Sequence, residues 1–331
     1  MPDRFRVVVT DFLSETTVET PILEDLATIT LAGAHAEVDL SGHLESADAL
    51  IQFHDIPMIT DATLAKAVRC RGVVRAGVGY NNIDLKAAGR RGIAVCNVPD
   101  YGTEEVTDHA IMLLLAVARR LLAADQSLRR GEWDIAVVKS APRLRDKTLG
   151  LLGCGRIGTA TALRAKAFGL DLVFNDPFVA PGVEKALGVR RVFRLEELLE
   201  QSHFLSVHCY LDATTRHIIN ARALMRMPRG AVLINTARGP VVDQSALVEA
   251  LDSGHLAGAG IDVFEREPLD DERLRHHPKV VLTPHAAFYS IEGFVELRKK
   301  TAEEVRRLLV GEPPRNLVNR AEISNPRFVL A

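Results

Sequence analysis

Short apolar runs alternate with stretches of helical periodicity along almost the whole chain, the pattern of a parallel α/β sheet covered by helices. In the first segment the runs at 5–9, 49–51, 73–75 and 94–95 predict strands. The stretches at 22–31 and 62–68 predict helices between them. Asn97-Val98-Pro99 interrupts the series. A strongly apolar helix is then expected over 103–122, as the bridge into a second domain. That domain opens with a strand at 148–152, and further strands are predicted at 172–175, 204–208, 231–235, 258–262 and 280–283. An amphipathic helix over 291–309 closes the pattern and is placed to cross back to the first domain, which would make that domain discontinuous. No short-period repeat or low-complexity tract interrupts this order.

The fold expected is therefore α/β, with two doubly wound parallel-sheet domains. One is a Rossmann-type domain at 100–288. The other is a flavodoxin-like domain formed by 1–99 and 289–331. The 331 residues are too many for one ordinary core and agree with two.

Composition narrows the function. Hydrophobic residues make up 47% and charged residues 25%, ordinary globular usage, with a net charge of −2 and no basic run. Aromatics at 5% leave little stacking surface for bases. Direct nucleic-acid binding and a membrane role are thus not expected. The first residues lack the apolar core of a signal peptide, and Cys70, Cys96, Cys154 and Cys209 are widely spaced. They read as reduced thiols of a cytoplasmic protein, with no metal site.

Gly153-Cys154-Gly155-Arg156-Ile157-Gly158 fits G-x-G-x-x-G between a predicted strand and a predicted helix. Gly153 suits the tight turn, Gly155 a close backbone approach to a pyrophosphate, and Gly158 close packing of helix on strand. The amides of Arg156 and Ile157 open the helix, whose N-terminus attracts phosphate. Asp176 ends the next strand about 20 residues on, where a carboxylate binds the adenosine ribose and repels a 2′-phosphate. NAD(H) is the expected cofactor.

Three strings follow predicted strands: Asn235-Thr236-Ala237-Arg238-Gly239, Asp262 to Pro268, and Thr283-Pro284-His285-Ala286-Ala287. That sheet edge is where ligands bind in open α/β folds. Arginine presents a planar fork for a carboxylate, histidine delivers a proton near neutral pH, and a nearby glutamate orients the imidazole. Arg238, Glu267 and His285 together suit hydride transfer to a 2-oxo acid.

These strings, with AVCNVP at 94–99, LRAKAFG at 163–169, GVEKALG at 182–188 and TPHAA, resemble the D-isomer-specific 2-hydroxyacid dehydrogenases over nearly the whole chain. The resemblance is nearest the C-terminal-binding-protein branch. It implies His285 as general acid/base, Glu267 as its partner and Arg238 as the substrate-binding arginine. It implies that Arg75 and the loop amides at Val78 and Gly79 hold the substrate carboxylate. It puts Val106, Asp262, Thr236, Ala237 and Ala287 beside the nicotinamide side of the cofactor, His208 and Cys209 in the adenosine wall, and Thr215 among the cofactor contacts. Phe288 stands where that branch carries tryptophan, which leaves a smaller, less polar wall. Trp133 falls in the family's dimer-arm region and reads as a partly buried anchor, so a homodimer through the cofactor domain is implied. Two alternatives stay open: an NADH-responsive binding protein of the corepressor kind, and a dehydrogenase of another small anion such as phosphite.

Overall fold

A computed structural model describes residues 4–330. Contacts divide the chain into two compact units, residues 1–102 with 290–331, and residues 103–289.

The first unit carries five parallel strands: β1 (Phe5–Val9), β2 (Ala27–Leu31), β3 (Ala49–Gln52), β4 (Gly72–Arg75) and β5 (Ala94–Asn97). Their order is β2-β1-β3-β4-β5, the flavodoxin-like arrangement. β3, β4 and β5 are buried at every position, which is why they read as unbroken apolar runs. Val8, Leu50, Val73 and Val95 meet Leu40, Ile59 and Leu64 in one core.

Residues 22–31 depart from the expected helix. Only Thr20–Leu23 is helical, and Ala27–Leu31 is a strand paired in register with β1. The run Ala27-Thr28-Ile29-Thr30-Leu31 is rich in β-branched residues, and those pack better on a pleated edge than on a helix.

The closing segment does return to this unit. The helix Ile291–Val310 packs against β3, β4 and the Thr20–Leu23 turn. Beyond it the Asn319 side chain accepts from Val95 N at 2.9 Å and donates to Ile93 O at 3.0 Å, so the tail covers the free edge of β5.

The second unit holds seven parallel strands: β6 (Thr148–Leu152), β7 (Asp171–Asn175), β8 (Arg190–Arg191), β9 (Phe204–Val207), β10 (Ala231–Asn235), β11 (Leu256–Ile261) and β12 (Val280–Leu282). The order β12-β11-β10-β9-β6-β7-β8 extends the Rossmann pattern by one strand. The two-residue β8 was too short to register as a hydrophobic run. The helix expected over 103–122 ends at Ala118. Arg120 takes a left-handed φ of 55°, and a second helix runs Leu121–Arg129. The first helix lies on β11, where Gly260 leaves room: a Cβ there would stand 2.8 Å from Leu113.

Trp133 corrects a second expectation. It is 92% exposed in this chain and anchors nothing within it. Among the described residues no helix is long and apolar enough to cross a membrane, and no group of three His, Cys, Asp or Glu side chains could hold a metal. The four cysteines are free thiols. Burial pushes Cys70 and Cys209 up to about 12, which leaves them unreactive at neutral pH.

One buried ion pair fastens the closing helix to the first unit. Arg298 donates to Glu19 through Nε at 2.8 Å and Nη2 at 2.7 Å, with side-chain exposures of 7% and 1%. Hydrogen bonding to Glu19 raises the Arg298 pKa further above the ordinary arginine range. Arg298→Met strands Glu19 as an unpaired buried charge. Its expected cost is about 3–5 kcal/mol in stability, read from urea unfolding.

Candidate active site

β6 runs into the glycine turn at the topological switch point, where the sheet order reverses between β6 and β9. Gly153 has φ 96°, and a Cβ there would lie 2.7 Å from Cys209 N. A Cβ on Gly158 would lie 2.3 Å from Gly153 O. These two glycines are thus required by the chain itself. Gly155 differs. Its Cβ would meet nothing within 4 Å, and it caps the helix Arg156–Ala165 without a side-chain hydrogen bond. The first-turn N–H groups at Arg156 and Ile157 carry no side-chain cap, and such a helix N-terminus suits a phosphate.

At the tip of β7, Asp176 accepts from Cys154 N and Phe178 N, each at 2.8 Å. The carboxylate is held at the turn, and each oxygen retains a lone pair. At the end of β9, the His208 ring meets Ser206 Oγ at 2.9 Å, and burial pushes its pKa down to about 4. His208 is therefore a neutral wall beside Gly153, as is Cys209. Thr215 closes the next loop on itself, accepting from Asp212 N and donating to Tyr210 O, both at 2.8 Å. Thr236, after β10, has a buried Oγ1 without a hydrogen-bond partner among the described residues. A missing polar ligand would supply one. The open Gly155 cradle, the anchored Asp176 and this orphaned hydroxyl all fit a dinucleotide.

His285 and Glu267, expected to pair, lie in contact. His285 Nδ1 and Glu267 Oε2 are 2.7 Å apart, and both side chains are about 30% exposed (28% and 32%). The other Glu267 oxygen accepts from Phe264 N at 3.0 Å, which fixes the carboxylate. His285 is a left-handed residue at φ 51°, a conformation that costs a non-glycine roughly 1–2 kcal/mol.

That cost is offset by Asp262, which is fully buried. Its carboxylate accepts from Thr283 Oγ1 at 2.5 Å, Ala286 N at 2.9 Å and Ala287 N at 3.0 Å. Its backbone oxygen accepts from His285 N at 2.8 Å. Phe288 packs edge-on to the His285 ring at 6.3 Å between centroids.

Arg238 is half-buried at the end of β10, with Nη1 donating to Ala237 O at 2.8 Å. Asn235 sets this turn by donating to Arg238 O and accepting from Ala237 N, both at 3.0 Å. Gly239 packs directly on the backbone between Phe264 and Glu265, leaving no room for a Cβ. Val106 is buried on the helix Thr103–Ala118, and Thr107 beside it donates to Ile157 O at 3.4 Å.

In the first unit, Arg75 ends β4 and folds over Gly77. Its Nη2 donates to Asp55 at 2.7 Å, and Nη1 donates to Ala76 O. Val78 O accepts from Asn97 Nδ2 at 2.7 Å, which shapes the loop through Gly79. Sequence reasoning missed Asp55 and His109. His109 contacts the Asp262 network from a distant helix, and no spacing rule could have found it.

Fold and site together define a two-domain Rossmann-type oxidoreductase. The model for the D-isomer-specific 2-hydroxyacid dehydrogenase NAD-binding domain matches residues 111–287. The chain is 44% identical over 281 residues to a glyoxylate reductase of Korarchaeum cryptofilum, covering 83% of this chain and 84% of that protein. It is 36% identical over 323 residues to a D-3-phosphoglycerate dehydrogenase of Methanocaldococcus jannaschii, covering 98% of this chain but 61% of that longer one. The structure of an NADPH-dependent glyoxylate/hydroxypyruvate reductase from Sinorhizobium meliloti, bound to NADP and malonate, matches with a TM-score of 0.86 at 31% identity. That match covers 99% of this chain and 100% of the other. The chain belongs to the D-isomer-specific 2-hydroxyacid dehydrogenase family.

The glycine turn yields a paired test. Gly158→Ala forces a clash inside the protein and is expected to lower both melting temperature and dinucleotide affinity. Gly155→Ala meets no protein atom. It should leave the melt unchanged and weaken the dinucleotide at least tenfold in a fluorescence titration.

Proposed function

We propose that this protein interconverts a small 2-oxo acid and its D-2-hydroxy acid, using NAD(H). The observation that carries the reading is the 2.7 Å pair between His285 and Glu267. A histidine bonded through Nδ1 to a fixed carboxylate presents Nε2 as the proton-transfer atom. Bound against the Gly153–Gly158 turn, the nicotinamide dinucleotide supplies hydride-transfer chemistry. His285 gives a proton to the substrate oxygen in reduction and takes it back in oxidation. Glu267 orients the ring and balances its charge. Arg238 stabilises the carboxylate and the developing alkoxide. By the resemblance, Arg75 and the loop amides at Val78 and Gly79 take the substrate carboxylate, Arg75 while paired with Asp55. Thr236, Ala237, Asp262, Ala287 and Val106 line the nicotinamide side, while Asp176, His208, Cys209 and Thr215 form the adenosine side.

Several finer points belong to the same reading. The names of the relatives favour glyoxylate- or hydroxypyruvate-sized acids. The C-terminal-binding-protein branch is favoured by AVCNVP and the GVEKALG string, with Phe288 as the departure. A complete acid pair favours turnover over a purely NADH-responsive binding role, and the family favours a 2-oxo acid over phosphite. We further propose a cytoplasmic homodimer. Its interface would use Leu121, Leu128, Trp133 and Ile135, which are all more than half exposed on the second unit.

The reading is tested with a panel of 2-oxo acids and both cofactors. His285→Ala should lower the rate by about 10²–10⁴ while NADH still binds. Reduction needs the imidazolium and oxidation the neutral ring, so the two directions should show opposite pH slopes that vanish in the variant. Undiminished turnover in His285→Ala would remove the mechanism.

Cofactor choice has its own test. Asp176 places a negative charge where a 2′-phosphate would sit, so kcat/KM should favour NADH over NADPH. Asp176→Ala should narrow the ratio at least tenfold, and equal efficiency with both cofactors in the parent would refute the assignment.

A further inference from the structure

His109 stands on the helix Thr103–Ala118, 174 residues from the segment it touches, with its side chain 16% exposed. Its Nε2 lies 2.9 Å from Thr283 Oγ1 and 3.6 Å from Asp262 Oδ1. The direction of these bonds follows from the groups present. The Asp262 carboxylate can only accept, so the Thr283 hydroxyl proton points to it across 2.5 Å. The Thr283 oxygen then offers only lone pairs to His109. The ring must present Nε2–H, which also faces Asp262 Oδ1 favourably.

The chain His109 to Thr283 to Asp262 thus has one polarity, and it ends on the carboxylate that holds Ala286 N and Ala287 N. Without the His109 donor, the Thr283 oxygen is held from the Asp262 side alone, and its bond to that carboxylate is no longer fixed in direction. The loop bearing His285 in its left-handed conformation then loses its fixed reference.

We propose that His109 is a positioning residue for catalysis, acting through Thr283 and Asp262 to set His285 against Glu267. The proposal rests on His285 being the acid of the reaction read above. His109 itself touches neither substrate nor the reacting atoms in this account. Its action is one of direction: a donor on one helix fixes a hydroxyl, the hydroxyl fixes a carboxylate, and the carboxylate fixes the backbone of the catalytic loop.

The experiment compares His109→Leu, His109→Gln, Thr283→Val and the double variant His109→Leu/Thr283→Val. Each is assayed with the parent's best 2-oxo acid and preferred dinucleotide. Dinucleotide affinity is measured by fluorescence and folding by thermal melt. His109→Leu is expected to lower kcat tenfold or more, with dinucleotide affinity within threefold of the parent and an unchanged melt. His109→Gln carries an amide donor toward the same place and should recover most of the loss. The double variant should be no slower than the slower single variant, because both break one chain.

Three results would overturn the proposal: kcat of His109→Leu within twofold of the parent, His109→Gln as slow as His109→Leu, or a loss confined to dinucleotide affinity. His285→Ala separates this failure from failure of the wider reading. An inactive His285→Ala beside a fully active His109→Leu removes the positioning role alone. A fully active His285→Ala removes the acid assignment and this inference with it.

Discussion

A single buried carboxylate holds the candidate site of the second unit together. Asp262 continues β11 by one residue, and its five hydrogen bonds run in different directions. Its N–H donates to Asn235 O at 3.0 Å, at the root of the Arg238 turn. Its backbone oxygen takes the His285 amide, and its two carboxylate oxygens take the amides of Ala286 and Ala287 and the Thr283 hydroxyl. A fully buried carboxylate is tolerable only when its lone pairs are met by donors, and here the donors are the loop itself. The arginine turn and the histidine loop are thereby referenced to one atom group inside a rigid sheet. Precision at the site comes from the sheet and not from the loops.

Around that anchor, close backbone contacts do the remaining positioning. Gly239 lies against the backbone of Phe264 and Glu265, so the turn carrying Arg238 and the segment carrying Glu267 touch main chain to main chain. Phe264 N then holds one oxygen of Glu267, and the other meets His285. The residues with chemistry are reached from three successive strand ends, β10, β11 and β12, which pair in parallel. Their order in the sheet sets their order in the site.

Much of this was legible in the sequence, and the exceptions have physical reasons. Parallel strands buried on both faces announce themselves as apolar runs, and the runs at 5–9, 148–152 and 231–235 appear with those bounds. β2 was read as helix because its apolar residues also match a helical spacing, while pairing with β1 decides the matter. β8 has two arginines and no apolar residue to betray it. In the site, Glu267 and His285 were expected to meet, and they do. Strand-end position makes such pairs readable. His109 and Asp55 were not readable, because their partners are fixed by tertiary packing across 174 and 20 residues. Trp133 was read as a partly buried anchor from its place in the family's dimer-arm region, and within this chain it is exposed.

The pairing of Arg75 with Asp55 has an electrostatic consequence. An arginine at a glycine-rich loop would ordinarily project a positive field far enough to draw anions in from solution. Here the guanidinium is 7% exposed and already neutralised at 2.7 Å by a carboxylate that is itself 17% exposed. To a distant ion the two look like a dipole, whose field falls off more steeply with distance than that of a bare charge. Arg75 therefore contributes little long-range attraction at this loop. A pair so close and so covered contributes a field that varies little with the Debye length of the medium.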